Sequence, residues 1–463
     1  MQLTGVKKAH FIGIGGVGMS ATAKLLKDKG IEVTGSDEAV YEPMRSYLAH
    51  ESLPCATPYQ ASNIPSDTDI IVIGKNAKLV PETNAEVAAA YASGKPTVSY
   101  PEVLAALADG KETIAIVGSY GKSTSTALLS HCLLEAGKDP SYWIPAVSFT
   151  PAQNARIGSG AYFVVEGDEY PSSNTDPRSK FLHYHPAHVL VTPLAHDHVN
   201  VFPTPTSYVQ PFIELMGMTT GKKVICTDGA LSADLLTHTP EAVTYGLTAG
   251  TYQAANIMWG ERTSFDLTKD RQILAHLETS LLGEHNVQNI VGVGALLFSL
   301  NALTPEQFAN GIASFKGIKR RLDRKSEKTR IPVYEGFGSS YEKARSAIAA
   351  MKLHFPSKRL VIVFEPHTFT WRNKATLNQY DGVFAGASKI YIFEPAEQGA
   401  ATHAQLTQEE ILARVTGAGF DAEPLISADI PLTNDDVVLI LTSGDLGGLM
   451  EPLIKTIEQK FPA

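Results

Sequence analysis

Between an apolar strand pattern, Thr113–Val117, and a helical one, Ser123–Glu135, stands Gly118-Ser-Tyr-Gly-Lys-Ser-Thr124, and few folds accept such a junction. A strand that passes through a glycine turn directly into a helix belongs to a parallel α/β layer, because the crossover helix packs back on the sheet. The glycines let several N–H groups converge on one anion, and the following helix points its positive end at it. Lys122 then reaches the terminal phosphates, and the Ser123 hydroxyl suits Mg2+. The longer form of this loop has a glycine where Ile116 stands, so this is a shortened version. Gly118, Ser119, Gly121, Lys122, Ser123 and Thr124 are the expected ATP contacts.

A second glycine loop, Gly13-Ile-Gly-Gly-Val-Gly18, follows the strand pattern His10–Ile14 and opens the helical pattern Met19–Lys29. Asp37 follows the next strand, Glu32–Gly35, about 20 residues on, as in dinucleotide sites. The same geometry takes any diphosphate, a UDP-sugar included. Taken alone, this loop leaves a dehydrogenase open, but a dehydrogenase would leave the loop at Gly118 unexplained.

Further strands are expected at Asp69–Gly74, Tyr162–Val165, Val189–Thr192 and Val224–Thr227, with a more antiparallel stretch at Gly250–Leu281 and a helix at Asn286–Leu300. The first domain is expected to end near Pro101 to Gly110. Phe315–Arg321, with Gly317, reads as a hinge. Beyond it come strands Pro332–Glu335, Leu360–Phe364, Ile390–Phe393 and Val437–Leu441, and helices such as Tyr341–His354 and Thr407–Val415. The expected fold is α/β with three mainly parallel sheets: a Rossmann-like domain 1–108, a central P-loop ATPase-like domain 109–315 and a Rossmann-like domain 316–463.

At 463 residues the chain exceeds what one core usually serves. Its 44% hydrophobic and 19% charged residues are those of a globular protein, and a net charge of -9 speaks against a nucleic-acid partner. Cys55, Cys132 and Cys226 have no metal spacing and read as buried residues in a reducing compartment. No apolar run reaches the roughly 20 residues of a membrane span, and no export signal is read at the start, which leads to an expected cytoplasmic location.

Glu166, Asp168 and Glu169 follow one strand, and His196, Asp197 and His198 follow another. In a parallel sheet both strand ends share the edge of the phosphate loop. Glu166 is the candidate oxygen ligand for Mg2+, and a histidine beside it would hold a second cation or stabilise transferred charge.

In this order the motifs resemble the Mur ligases of peptidoglycan synthesis over nearly the whole chain. The specific pieces are His10-Phe-Ile-Gly-Ile-Gly-Gly-Val-Gly-Met-Ser20, Gly118 to Thr124, Val165-Glu-Gly-Asp-Glu-Tyr170, Asp197-His198, Glu284-His-Asn-Val-Gln-Asn289 and Gly317-Ile-Lys-Arg-Arg321. The opening motif is similar to that of the members acting on bare UDP-N-acetylmuramate. The resemblance implies that Gly15, Gly16, Gly18, Met19, Ser20, Asp37 and Asn76 hold the UDP-sugar. It places ATP phosphates and Mg2+ on Lys122 and Ser123, completes the metal sites with Glu166 and His198, brings His285, Asn286 and Asn289 near the adenine, and sends Arg321 to the γ-phosphate. Lys122, Glu166, His198 and Arg321 would be the catalytic set, in a monomer or homodimer.

The resemblance also implies the chemistry. A carboxylate does not react with an amine at neutral pH, because oxide would have to leave. Transfer of the γ-phosphoryl group gives an acyl phosphate, from which the amine displaces phosphate, while cations neutralise the spreading charge. Two branches fit. Arg178-Ser-Lys-Phe-Leu-His-Tyr-His-Pro186, Ile73-Gly-Lys-Asn-Ala77 and Val363-Phe-Glu-Pro366 look like the branch that adds the peptide L-alanyl-γ-D-glutamyl-meso-diaminopimelate, which is slightly favoured. Leu441-Thr-Ser-Gly-Asp-Leu-Gly447 is similar to the branch that adds L-alanine. The chain departs from the family at Glu335-Gly-Phe-Gly-Ser-Ser-Tyr341, where Gly336, Ser339 and Ser340 replace an acid and two histidines, and at Thr192 and Ala195, where Asn and Glu are usual. These departures keep open a non-catalytic binder of UDP-sugar or ATP.

Overall fold

Runs of four or five apolar, often β-branched residues are buried along their length, for example Ile70–Ile73 and the five residues after Asp436 in the strand Asp436–Leu441. Strands without a polar face belong to parallel sheets covered by helices on both sides. The computed structural model describes residues 1–42, 44–146, 148–395 and 404–463, and its strands form three sheets. The first has β1 (Lys8–Ile12), β2 (Glu32–Ser36), β3 (Ile70–Ile73) and β4 (Thr97–Val98) in the order β2-β1-β3-β4, all parallel.

The second sheet contains β5 (Glu112–Val117), β6 (Ser141–Trp143), β7 (Ala155–Arg156), β8 (Tyr162–Glu166), β9 (His188–Val191), β10 (Lys223–Cys226), β11 (Val243–Gly246), β12 (Tyr252–Met258), β13 (Thr263–Lys269) and β14 (Gln272–Thr279). Its order is β14-β13-β12-β11-β10-β9-β5-β8-β6-β7. The stretch β11-β10-β9-β5-β8-β6 is parallel, and β7 runs antiparallel to β6. The segment expected to be antiparallel starts with a parallel pairing of β12 on β11. Asp270 and Arg271, at φ 48° and 67°, then make the two-residue turn of a β13–β14 hairpin.

The third sheet contains β15 (Arg321–Arg324), β16 (Val333–Gly336), β17 (Arg359–Phe364), β18 (Lys389–Ile392), β19 (Ala422–Pro424) and β20 (Asp436–Leu441) in the order β15-β16-β20-β17-β18-β19. Only β15 is antiparallel to its neighbour. The architecture is therefore α/β, with three mostly parallel, sheet-bearing domains.

These domains group into two compact units, Met1–Asn256 with Phe265–Leu277 and Val287–Phe315, and Ile257–Ser264 with Glu278–Asn286 and Lys316–Ala463. The first two sheets share one unit, although the first also has a smaller core of its own, with Ile12, Ile71 and Val87. One continuous core runs from Phe11 and Val72 to Val117, Val165 and Phe212. The stretch expected to end the first domain is no open linker. It is the helix Tyr100–Leu107, started by a capping box of Ser99 and Glu102, and its Tyr100, Leu104 and Leu107 join that shared core. Among the described residues no helix is long and apolar enough to cross a membrane.

Candidate active site

The phosphate loop runs from the end of β5 into the helix Lys122–Glu135. Gly118 (φ +123°) and Gly121 (φ +84°) adopt backbone that L-residues avoid, and Gly121 is the helix N-cap. A Cβ on Gly118 would lie 2.7 Å from the Thr192 carbonyl oxygen, and one on Gly121 would strike Asn289. Asn289, expected near the adenine, is thus buried under the loop. The Ser119 hydroxyl donates to the Ala195 carbonyl (2.6 Å), accepts from the Ala195 N–H (2.8 Å) and lies 2.8 Å from the Tyr208 hydroxyl. It fastens the loop to the segment after β9. Ser123 and Thr124, in the first turn of the helix, are partly exposed.

Behind the loop lies a chain of charge. Lys122 Nζ donates to the Gly118 carbonyl (2.6 Å) and to Glu169 Oε2 (2.8 Å). Glu169 is fully buried, and its Oε1 lies 3.0 Å from His198 Nε2 and accepts from the Tyr208 hydroxyl at 3.3 Å. Burial pushes the Glu169 carboxyl up, but His198 and Lys122 outweigh it and hold the group at about 2. Burial alone would lower the Lys122 ammonium; Glu169 and Glu166 reverse this and raise it. The hydrogen bond to Glu169 raises the His198 ring against the opposing effect of burial.

Glu166, three residues earlier at the end of β8, has the opposite fate. Burial raises it to about 7, with Lys122 and Ser123 opposing, and its Oε2 is buried without a hydrogen-bond partner. Two neighbouring carboxyls are thus pushed apart, one a fixed anion and one short of a partner. An unsatisfied carboxylate oxygen beside a hydroxyl fits a hard divalent cation such as Mg2+. Of the expected metal set, Ser123 and Glu166 lie together at the loop, and His198 stands one carboxylate away, paired with Glu169. His198, at a left-handed φ of 55°, turns Nε2 to Glu169 and packs its ring on Tyr170 at 4.4 Å. Among the described residues no three His, Cys, Asp or Glu side chains gather as a metal site. His196 bonds the Phe202 carbonyl at 2.7 Å and holds its own loop.

At the first glycine loop, β1 ends at Ile12 rather than Ile14 because Gly13 turns the chain at φ +90°. The Gly15 N–H donates to Asp37 Oδ2 at 2.8 Å, and a Cβ there would approach that oxygen to 2.7 Å. Asp37 Oδ1 accepts from Tyr59 (3.0 Å) and from the Glu38 N–H (2.8 Å), so Asp37 organises the turn from beneath. Gly18 lets Trp143 approach to 3.1 Å of where its Cβ would be, and a Cβ on Gly16 would make ordinary contacts only. Met19 and Ser20 are buried, and the Ser20 hydroxyl donates back to the Gly16 and Val17 carbonyls. Both side chains thus pack within the first turns of the helix. Asn76 is exposed just past β3, its Oδ1 accepting from the Lys78 N–H.

The second unit carries Arg321, His285 and Asn286. Arg321 lies between two residues of left-handed backbone, Arg320 (φ 63°) and Leu322 (φ 60°), and its guanidinium is 5.9 Å from the Phe337 ring centre. Lys343 lies 5.4 Å from the same ring. The serines that replace the expected histidines have local duties: Ser340 caps the helix Tyr341–His354, and Ser339 bonds Lys343. His285 is exposed beside Gly283, and Asn286 is buried, donating to the Leu282 carbonyl.

Comparison with known proteins follows this geometry. Residues 8–112 match the Mur ligase family, catalytic domain, and residues 116–297 match the Mur ligase middle domain. The UDP-N-acetylmuramate–L-alanine ligase of Endomicrobium trichonymphae is 30% identical over 459 residues, covering 97% of this chain and 98% of its own. This chain belongs to the Mur ligase family. Mur ligases are ATP-dependent enzymes that form amide bonds in peptidoglycan synthesis. Among solved structures, the UDP-N-acetylmuramate–alanine ligase of Thermotoga maritima aligns with a TM-score of 0.78 at 22% identity over 98% of this chain and 99% of that one. A murein peptide ligase of Psychrobacter arcticus aligns with a TM-score of 0.64, at 22% identity over 98% and 99%.

Three parts of this Mur ligase site escaped the sequence reading. Glu169 was seen but given no role, although a second acid three residues past Glu166 marks a pair with divided duties. Tyr208 lies on the helix Pro205–Met218, which was not foreseen, and Trp143 on the unforeseen β6. Aromatic residues that support a loop from another element leave no local motif.

Proposed function

We propose that the protein is an ATP-dependent ligase that joins the carboxylate of UDP-N-acetylmuramate to the amine of L-alanine. For the reaction class, the carrying observation is the buried Glu166 with an unsatisfied oxygen, next to Ser123 at a phosphate loop whose lysine is held by Glu169. For the amine, full-length similarity to ligases named for L-alanine outweighs the slight lean of the motifs toward the peptide. The reading assigns residues 1–108 to the UDP-sugar, 109–315 to ATP and 316–463 to the amine.

ATP supplies a phosphoryl group that gives the carboxylate a leaving group, and Mg2+ on Ser123 and Glu166 would neutralise phosphate charge. The chain's own work is positioning. The N–H groups between Gly118 and Lys122 cradle phosphate, Lys122 meets the terminal phosphate, and Arg321 adds a second cation. Glu169 and His198 keep Lys122 charged and in place. Gly15, Gly16 and Gly18 present backbone to the UDP diphosphate.

One observation favours a second reading, in which the amine is L-alanyl-γ-D-glutamyl-meso-diaminopimelate. Two of the three peptide-branch motifs meet in space: Lys75 and Lys180, one from each, lie 5.5 and 5.9 Å from the Tyr170 ring centre, and Asn174 nearby donates to the Asn76 and Leu79 carbonyls at 2.8 Å. Phosphate release from ATP in the presence of UDP-N-acetylmuramate decides between the two. Release with L-alanine and not the peptide is expected; release with the peptide alone reverses the assignment, and release with neither overturns both.

A further inference from the structure

Two lysines share one aromatic ring in the first unit. Lys75, two residues past the end of β3, has its Nζ 5.5 Å from the centre of Tyr170, and Lys180 has its Nζ 5.9 Å from the same centre. Lys180 is anchored: it pairs with Asp168 at 2.5 Å and lies 5.6 Å from the Tyr100 ring. Lys75 is exposed and, among the described residues, forms no ion pair. Capping an aromatic ring needs one cation. A second ammonium adds repulsion, and burial together with Lys180 draws the Lys75 group below its ordinary value. Asp168 offsets this only in part: Lys75 stays below its ordinary value, while Oδ2 is taken by Lys180 and Oδ1 accepts the Tyr170 N–H at 3.0 Å.

The position of the pair indicates which anion it awaits. The Tyr170 ring packs on His198, His198 bonds Glu169, and Glu169 bonds Lys122 of the phosphate loop. The two ammonium groups are therefore joined to the phosphate-loop lysine by a continuous path of two rings and a carboxylate, Tyr170, His198 and Glu169. Two contacts across this unit keep them there, Asn174 on the Asn76 and Leu79 carbonyls and Lys180 over Tyr100. An anion held at this point is the one poised to receive a phosphoryl group.

We propose that Lys75 and Lys180 hold the carboxylate of the acceptor sugar, with Lys75 as its principal counter-charge. The assignment rests on UDP-N-acetylmuramate being the acceptor. Lys75 positions the nucleophilic oxygen and neutralises it until transfer, and Lys180 fixes the Tyr170 ring against which it lies. A diphosphate is the other anion that a UDP-sugar offers, and UDP-N-acetylglucosamine, which has the diphosphate but no carboxylate, separates the two.

The test is calorimetric binding of both UDP-sugars to the full chain and to Lys75→Met and Lys75→Arg, exposed substitutions that leave the core untouched. A lost charged contact predicts at least about tenfold weaker UDP-N-acetylmuramate binding in Lys75→Met, with partial rescue in Lys75→Arg and unchanged UDP-N-acetylglucosamine binding. Equal weakening for both sugars moves the lysines to the diphosphate and overturns the proposal. Unchanged binding of both overturns it as well. Failure of the unaltered protein to bind UDP-N-acetylmuramate refutes the functional reading itself and the lysine assignment with it.

Discussion

Replacing Glu169 by glutamine removes the one charge that Lys122 and His198 share, while keeping the shape of the side chain. Burial disfavours the Glu169 anion, yet His198 and Lys122 carry the group from 4.5 to about 2, and the side chain is fully buried. At about 1.4 kcal/mol per unit, that difference stabilises the first unit by about 3 kcal/mol at pH 7. The folded value lies below the unfolded one. The contribution is therefore complete above about pH 5 and is lost as pH falls through about 2, with about half or less of it left at pH 3. The assay equilibrates wild type and Glu169→Gln in urea at pH 7 and pH 3. A brief deuterium pulse then labels the peptides spanning β5, β8 and β9, which isolates the first unit. The stability gap between the proteins should shrink by about half or more between the two pH values. A gap under about 0.5 kcal/mol at pH 7, or one unchanged at pH 3, would refute the reasoning, since breaking a buried pair usually costs several times more.

Three further outcomes follow from the same geometry. Glu166→Gln should lower ATP turnover by at least about a hundredfold in steady-state assays while leaving thermal stability unchanged or higher, because a buried carboxyl with one unpaired oxygen gives way to a neutral group. Lys122→Ala should abolish turnover but leave UDP-sugar binding, measured by calorimetry, within a few-fold, since the sugar loop at Gly13–Gly18 lies on another sheet. Gly15→Ala should weaken UDP-sugar binding with little change in the KM for ATP, because its Cβ would press on Asp37 Oδ2 and displace the turn.

Much of the architecture was legible because its signals are local. The strands β5, β8, β17 and β20 are short apolar runs, and the helix Tyr341–His354 has clear ends, so each is placed within a residue or two. The glycine loops were legible for the same reason, since left-handed backbone at Gly13, Gly118 and Gly121 admits few other residues. What escaped was set by distant neighbours. Nothing in Asp197-His198 says that the imidazole turns to Glu169 and not to Glu166; that depends on where β8 and β9 bring two loops together. Nothing near Met19-Ser20 says that both side chains face the core, since that follows from how the helix Val17–Asp28 packs. Short pieces such as β4 and β7, two residues each, carry too little pattern to be read at all.

The central claim is that the carboxylate of UDP-N-acetylmuramate is phosphorylated before the amine attacks. Its most direct test uses UDP-N-acetylmuramate labelled with 18O in both carboxylate oxygens, together with ATP, Mg2+ and the amine, and reads the products by mass spectrometry. The account predicts one labelled oxygen in inorganic phosphate for each amide formed. Amide formation with unlabelled phosphate, or labelled substrate returned with no amide in the folded protein, would contradict it.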